Sequence, residues 1–212
     1  MTRVKGGPFE TTILVLLFAV AASGQLTIHL VPHSHCDLGY KKTIDGYYQS
    51  EVRVILSSLA TNLANHSDRR FIWAEAYWLH TWMLDKRVPS SLKSNMQRLV
   101  ASGMVEVVDG GWSMHDDAIT LVDQQLQNLR HGHAALLEHF GPDALPRHGW
   151  HIDPFGPTVM DATLYAFGGY EGVVLNRMNS AIKGRLQQVC PGHLARVLLS
   201  AELSDHNPAA AR

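Results

Sequence analysis

Short apolar runs alternate with apolar stripes of helical spacing along most of the sequence. Runs of this kind predict buried strands, and they lie at residues 26–31, 70–74, 105–108, 147–153 and 173–177. Stripes with a period near 3.6 predict amphipathic helices, and they lie at residues 45–64, 92–100, 120–140 and 158–167. Because a helix follows a strand throughout, we predict an α/β fold with a parallel sheet or barrel.

Three segments of the sequence lead to predictions about burial. Leu26, Ile28, Leu30 and Val31 should form a buried first strand. The aromatic segment 77–82 could stack on a sugar, but the core of a helix is the better interpretation. The helix at 120–140 should bury one face, formed by Val122, Leu126, Leu129, Leu136 and Phe140.

Side chains that can bind metal follow the first predicted strand. His33, His35 and Asp37 are spaced two residues apart, so an extended backbone would project them to the same side. An imidazole nitrogen and a carboxylate oxygen that converge in this way could bind zinc. The alternative is that the histidines only hydrogen-bond at a strand end. Cys36 has the opposite parity, and we interpret it as part of a pocket wall.

The strand predicted at 105–108 also ends in polar side chains. It continues into glycines and a tryptophan at 110–112 and then into His115, Asp116 and Asp117. These residues could line a pocket. Equally, Asp116 or Asp117 could cap the helix that is predicted to begin near Thr120. Both interpretations remain open from the sequence.

The last two predicted strands each end in a charged residue. Pro154 stops its strand directly after Asp153, which leaves this carboxylate at the rim of the sheet. Arg177 ends the following strand. Carboxyl ends of parallel strands meet at one edge of a sheet, where α/β folds usually place their sites.

Composition and the chain start bear on compartment and partners. The 212 residues are 46% apolar and carry a net charge near -1, which gives no electrostatic basis for a nucleic-acid partner. Residues 1–24 have the pattern of a cleaved signal peptide, and their apolar run is too short for a stable membrane anchor. Asn65 begins a glycosylation sequon. The two cysteines provide no disulfide framework.

Three motifs in order give the sequence a family resemblance. They are His-Ser-His-Cys-Asp-Leu-Gly-Tyr at 33–40, Gly-Gly-Trp-Ser-Met-His-Asp-Asp-Ala at 110–118 and Trp-His-Ile-Asp-Pro-Phe-Gly at 150–156. With this order and spacing, the sequence resembles the retaining α-mannosidases of glycoside hydrolase family 38. The resemblance implies a distorted parallel β/α barrel-like catalytic domain, incomplete at its C-terminal end. Its N-terminal part would span residues 25–187, and residues 188–212 would form an unmatched tail.

The same resemblance implies a site. A zinc ion would be held by His35, Asp37 and Asp153, with Asp153 also acting as the nucleophile. Arg177 would lie beside Asp153, and Tyr40 would contact the sugar ring where the family usually has Trp. The substrate would be terminal α-D-mannosyl residues of N-glycans on oligosaccharides or glycoproteins. The compartment would be the secretory pathway, with the lysosomal lumen first and an extracellular or Golgi location as alternatives.

The sequence also departs from the family pattern. The family's acid/base aspartate and its remaining zinc-binding histidine lie farther along a much longer chain, and nothing after Arg177 supplies them. We therefore expect the 212-residue chain alone to be inactive. Two alternatives stay open: a metal-dependent polysaccharide deacetylase, which also uses His and Asp, and a non-catalytic fragment that binds zinc or carbohydrate.

Overall fold

The computed structural model describes residues 30–189, in which strands and helices alternate. The four strands are β1 (Phe71–Trp73), β2 (Val105–Val107), β3 (His148–His151) and β4 (Gly172–Leu175). The α-helices are α1 (Ile44–Tyr47), α2 (Arg53–Leu63), α3 (Ala76–Leu84), α4 (Ser90–Ala101), α5 (Val122–Phe140), α6 (Val159–Phe167) and α7 (Ser180–Val189). A π-helical turn, Tyr48–Val52, joins α1 to α2, and a 3-10 turn, Pro142–Ala144, follows α5.

The strands pair in parallel, as the alternation predicted. β1 pairs with β2, and β3 pairs with β4. The two pairs are linked through Asp109, whose N–H donates to the carbonyl of His148 at 2.7 Å. His33 adds an isolated parallel bridge to Ile72. The prediction of an α/β fold with parallel strands is confirmed, and the carboxyl ends of these strands face the same edge.

The prediction of a buried first strand is wrong where it can be examined. Leu26 and Ile28 lie outside the described residues, as does the predicted signal peptide. Leu30 and Val31 are in no strand, and they are 87% and 49% exposed. Pro32 has no N–H to donate, and pairing is limited to its carbonyl, which accepts from Ile72, and to the bridge at His33. Of the predicted tail, only the end of α7 is described.

Buried tryptophans dominate the larger hydrophobic core. Trp73, Trp78 and Trp82 are fully buried, which confirms that segment 77–82 forms the core side of a helix. Each indole N–H donates a hydrogen bond, so none leaves a buried donor without a partner. Trp78 donates to the carbonyl of Cys36 at 2.6 Å, and this bond ties the segment after His35 to α3. Cys36 itself is buried in this core.

Helix α5 buries part of the predicted face, including Leu129 and Leu136, with Phe140 partly buried against the core. It begins at Val122 rather than near Thr120, and Val122 and Leu126 are exposed. Its buried residues are Gln125, Leu129, Gly132, Ala135 and Leu136. The reason is close backbone packing at Gly132, where an added Cβ would lie 2.0 Å from the carbonyl oxygen of Gly110. In the described part of the chain, no helix has the length and apolar character that crossing a membrane requires.

Candidate metal and active site

Three chain segments bring charged side chains together at the carboxyl edge of the strands. His35 and Asp37 follow the His33 bridge, Asp153 follows β3 by two residues, and Arg177 follows β4 by two residues. We call these four residues the rim site. Nε2 of His35 lies 3.1 Å from Oδ1 of Asp37 and 3.4 Å from Oδ2 of Asp153. Segments more than 100 residues apart in sequence thus contribute to one cluster.

The donor atoms of the rim site suit a zinc ion. One atom each from His35, Asp37 and Asp153 lies within 4.8 Å of the other two. Neither ring nitrogen of His35 has a hydrogen-bond partner among the described residues, although two carboxylates lie close to Nε2. A nitrogen that approaches carboxylates without hydrogen-bond geometry is arranged as a metal ligand would be. One imidazole and two carboxylates are also a ligand set that zinc accepts.

Arg177 forms an ion pair with the nucleophile candidate. Its guanidinium nitrogen lies 2.6 Å from Oδ1 of Asp153, while Oδ2 of Asp153 faces His35. The two side chains remain 49% and 40% exposed, so a substrate can reach the carboxylate. The guanidinium stabilises negative charge on Asp153 and fixes its orientation.

The rim site opens into a cavity of about 310 Å³. It is lined by His35, Asp37, Tyr40, Lys41, Lys42, Tyr47 and Glu51. Tyr40 is 75% exposed, and Glu51 is ion-paired with Lys42. Arg177 lines a second cavity of about 860 Å³, formed between Phe155 and the start of α7. The first cavity is large enough for one sugar ring.

A buried carboxylate, Glu75, supports the segment that holds His35 and Asp37. Its Oε1 accepts a hydrogen bond from the N–H of Cys36 at 3.3 Å. Burial raises the pKa of Glu75 to about 8 and that of the Cys36 thiol to about 11, so both groups are largely uncharged at neutral pH. The sequence analysis assigned Glu75 no role, although a lone carboxylate directly after a buried strand was a usable signal.

The structure separates the two carboxylates whose roles the sequence left open. Asp116 accepts the N–H of Ala118 at 2.8 Å and caps no helix, because α5 begins at Val122. Asp117 is buried and lies 2.7 Å from Nδ1 of His151. The sequence analysis missed this contact with His151. Alternation along β3 places His151 on the same side as Asp153, which could have indicated it.

Comparison with known proteins places these residues in a family. The model of the N-terminal domain of glycosyl hydrolases family 38 matches residues 25–190, which is most of the chain. The chain belongs to glycoside hydrolase family 38. The matched range includes all three motifs and all four residues of the rim site.

Relatives in the family are named α-mannosidases. Alpha-mannosidase F of Dictyostelium discoideum is 37% identical over 187 residues, which are 85% of this chain and 18% of that protein. The lysosomal alpha-mannosidase of Mus musculus is 39% identical over 168 residues, or 74% of this chain and 16% of that protein. The chain therefore spans less than a fifth of the length of the relatives it matches.

A solved structure supports the fold. The crystal structure of an alpha-mannosidase from Enterococcus faecalis aligns with 68% of this chain and 16% of its own, with a TM-score of 0.56 and 15% sequence identity. At this identity the likeness concerns the fold alone. It agrees with the parallel strand pairs observed here.

Proposed function

We propose that this chain provides the zinc site and the nucleophile of a retaining α-mannosidase. The observation that supports it is the convergence of His35, Asp37, Asp153 and Arg177 in a chain of family 38. In this proposal the matched segment is the N-terminal part of a β/α barrel-like catalytic domain. The family match favours this function over a polysaccharide deacetylase.

In the proposed mechanism, Asp153 is the nucleophile that reacts with the anomeric carbon of the substrate. The carboxylate of Asp153 attacks that carbon, the glycosidic bond breaks, and a covalent mannosyl-enzyme forms that water later hydrolyses. Arg177 holds the carboxylate in position through the 2.6 Å ion pair. His35, Asp37 and Asp153 would hold the zinc, which when bound supplies positive charge to bind and orient sugar hydroxyls.

The substrate would be mannose-terminated oligosaccharides or glycoproteins. Tyr40 projects into solvent at the mouth of the cavity, where its ring is available to pack against a sugar. Asn65 is exposed after α2, so its sequon is accessible to glycosylation in the secretory pathway. With the names of the lysosomal relatives, this supports a lysosomal location.

We also propose that the 212-residue chain alone does not turn over substrate. A retaining glycosidase needs a second carboxyl group as acid and base, at about 5–5.5 Å from the nucleophile. In the described part of the cavity, Asp37 is assigned to zinc and Glu51 is paired with Lys42. No described carboxyl group is therefore left for that role at the rim, and the fourth zinc ligand is likewise unassigned.

Zinc binding and product release by the purified chain test the proposal. We expect zinc to bind in calorimetric titration, and we expect binding to weaken at least tenfold in Asp153→Asn, which keeps the shape but loses the charge. The matched control is Asp143→Asn, an exposed carboxylate in the 3-10 turn after α5, which should bind as the wild type does. An aryl α-mannoside should release no product.

Each other result would change a specific part of the proposal. Zinc-dependent release of the aryl group would refute the inactivity of the chain and support the mannosidase chemistry. Release of acetate from an acetylated polysaccharide would support a deacetylase instead. Zinc binding that is unchanged in Asp153→Asn would refute the rim site.

A further inference from the structure

A second group of histidines and carboxylates lies in the interior, and the mechanism at the rim does not use it. Its members are Asp109, His115, Asp117, His151 and Asp161, which we call the buried cluster. None of these side chains is more than 7% exposed. Asp109 follows β2, His115 and Asp117 precede α5, His151 ends β3, and Asp161 lies in the first turn of α6.

Three donor atoms of the buried cluster converge. Nδ1 of His151 lies 2.7 Å from Oδ1 of Asp117, and Nε2 of His115 lies 3.6 Å from the same oxygen. Despite these distances, none of the three atoms has a partner with hydrogen-bond geometry among the described residues. Two ligands of one tetrahedral zinc, each at 2.0–2.2 Å, are separated by about 3.4 Å. The 3.6 Å separation is close to this ligand spacing, whereas the 2.7 Å separation is shorter and would lengthen when both atoms bind one ion.

The surroundings of His151 leave Nδ1 free to bind a metal. Its other nitrogen, Nε2, lies 2.5 Å from the hydroxyl of Tyr165, which itself donates to Oδ1 of Asp109. An N–H at Nε2 that donates to this hydroxyl leaves the lone pair on Nδ1. Histidine ligands are commonly oriented by a hydrogen bond from their other nitrogen.

The charge balance also favours a bound cation. The cluster contains three buried carboxylates, and in the described part of the chain no lysine or arginine forms an ion pair with any of them. Neither oxygen of Asp117 has a hydrogen-bond partner there. Buried carboxylates without sufficient countercharge are costly, because burial removes their hydration. A divalent ion would compensate this excess negative charge.

We propose that His115, Asp117 and His151 form a second, structural site for a divalent ion of the zinc type. Two imidazole nitrogens and a carboxylate oxygen are a ligand set that such ions prefer. Oδ1 of Asp161, 3.6 Å from Nε2 of His115, is the nearest further oxygen ligand. The ion would link the segment before α5 to the end of β3, two residues before Asp153.

A competing arrangement requires no ion. Burial alone would lower the pKa of His151, but the nearby carboxylates of Asp109 and Asp117 outweigh burial and raise the pKa to about 10. A protonated His151 would then form ion pairs with both carboxylates. This arrangement predicts that the buried cluster binds no metal, so metal stoichiometry distinguishes the two.

Zinc content of matched variants tests the proposal. The full chain is stripped with chelator, dialysed against zinc and analysed by mass spectrometry, in a His35→Ala background that disables the rim site. We expect one zinc per chain to remain in His35→Ala and to be lost when Asp117→Asn is added. Adding Asp116→Asn, the same change one residue earlier, should leave that zinc in place because Asp116 lies outside the cluster.

X-ray absorption of the zinc-loaded His35→Ala protein gives a second readout that does not depend on the folding of Asp117→Asn. It should show two imidazole nitrogens and oxygen ligands at about 2.0–2.2 Å. Absence of zinc from His35→Ala would overturn the proposal, as would a ligand shell without two histidines. A further outcome is one zinc per wild-type chain that is retained in the single variant His35→Ala and lost in the single variant Asp117→Asn. This outcome would support the buried site and refute the rim site. The two proposals can therefore fail separately.

Discussion

The rim site and the buried cluster use the same residue types in opposite environments. At the rim, His35, Asp153 and Arg177 are between a quarter and a half exposed, so water screens their charges and a substrate can reach them. In the buried cluster, the side chains of His151 and Asp117 are inaccessible to solvent. An unbalanced charge there lowers the free energy of unfolding of the whole fold. Under the two proposals, the exposed site contributes to the chemistry, while the buried one fixes the backbone that supports it.

The largest expected difference between the two regions is in stability. His151→Leu leaves Asp109 and Asp117 buried without their partner, and we expect it to lower the free energy of unfolding by about 3–5 kcal/mol. The matched change at the rim, His35→Leu, should cost only about 0–1 kcal/mol because its partners are hydrated. Urea denaturation of both variants in chelator, which removes any metal contribution, gives the two values. Equal losses would contradict the comparison.

The sequence predicted the rim site better than the buried cluster for a physical reason. The local pattern placed Asp153 and Arg177 at strand ends, and the family resemblance implied that they converge with His35. Burial of Asp109 and Asp117 depends on packing between distant segments, which no local pattern encodes. Asp109 also adopts a left-handed backbone conformation, with φ of 59°, where glycine is more usual. Among the described residues, its Oδ1 accepts from Trp150 of β3 and Tyr165 of α6, while Oδ2 has no hydrogen-bond partner.

Two errors of the sequence analysis have the same origin. The apolar stripe of α5 identified the helix and the burial of Leu129 and Leu136, but it missed the contact at Gly132, which depends on the loop at 110–112. The apolar run before His33 predicted a strand, but its pairing with Ile72 is limited, and that pairing is a tertiary contact. Elements with strong periodicity could be predicted, whereas contacts between them could not.

Glu75 sharpens the comparison, because it is a buried carboxylate that has no cationic partner among the described residues. Burial raises its pKa to about 8 from an ordinary value of 4.5, with Asp109 and Asp37 adding smaller effects in the same direction. Glu75 thus binds a proton more tightly in the folded state. The stability that it contributes is complete below pH 4.5 and is lost as the pH rises towards 8.

Glu75→Gln should remove this pH dependence, because it keeps an acceptor for the N–H of Cys36 but does not titrate. We expect the variant to gain stability relative to wild type between pH 4.5 and 8, by at most about 1.4 kcal/mol per pH unit. Unfolding free energies at several pH values provide the measurement. Asp143→Asn, which removes a carboxylate from an exposed position in the 3-10 turn after α5, is the control for the change of charge. If the difference in unfolding free energy between Glu75→Gln and wild type does not change with pH, Glu75 is ionised in the folded state across this range.

Packing at Gly132 provides the smallest expected effect. A Cβ added there would lie 2.0 Å from the carbonyl oxygen of Gly110 and 2.7 Å from the backbone nitrogen of Trp112, and neither backbone atom can rotate away. We expect Gly132→Ala to lower the free energy of unfolding by about 1–3 kcal/mol, despite the better helix propensity of alanine.

The matched control for Gly132→Ala is the same change at Gly184 in α7, where an added Cβ would meet no atom within 4 Å. Gly184→Ala should be neutral or stabilise by up to about 1 kcal/mol. Because Gly132 contacts the loop that leads to His115 and not the rim, zinc affinity of the rim site should stay at the wild-type value in Gly132→Ala. If rim affinity falls with stability, the two regions are coupled through α5, and the division between a chemical rim and a structural interior does not hold.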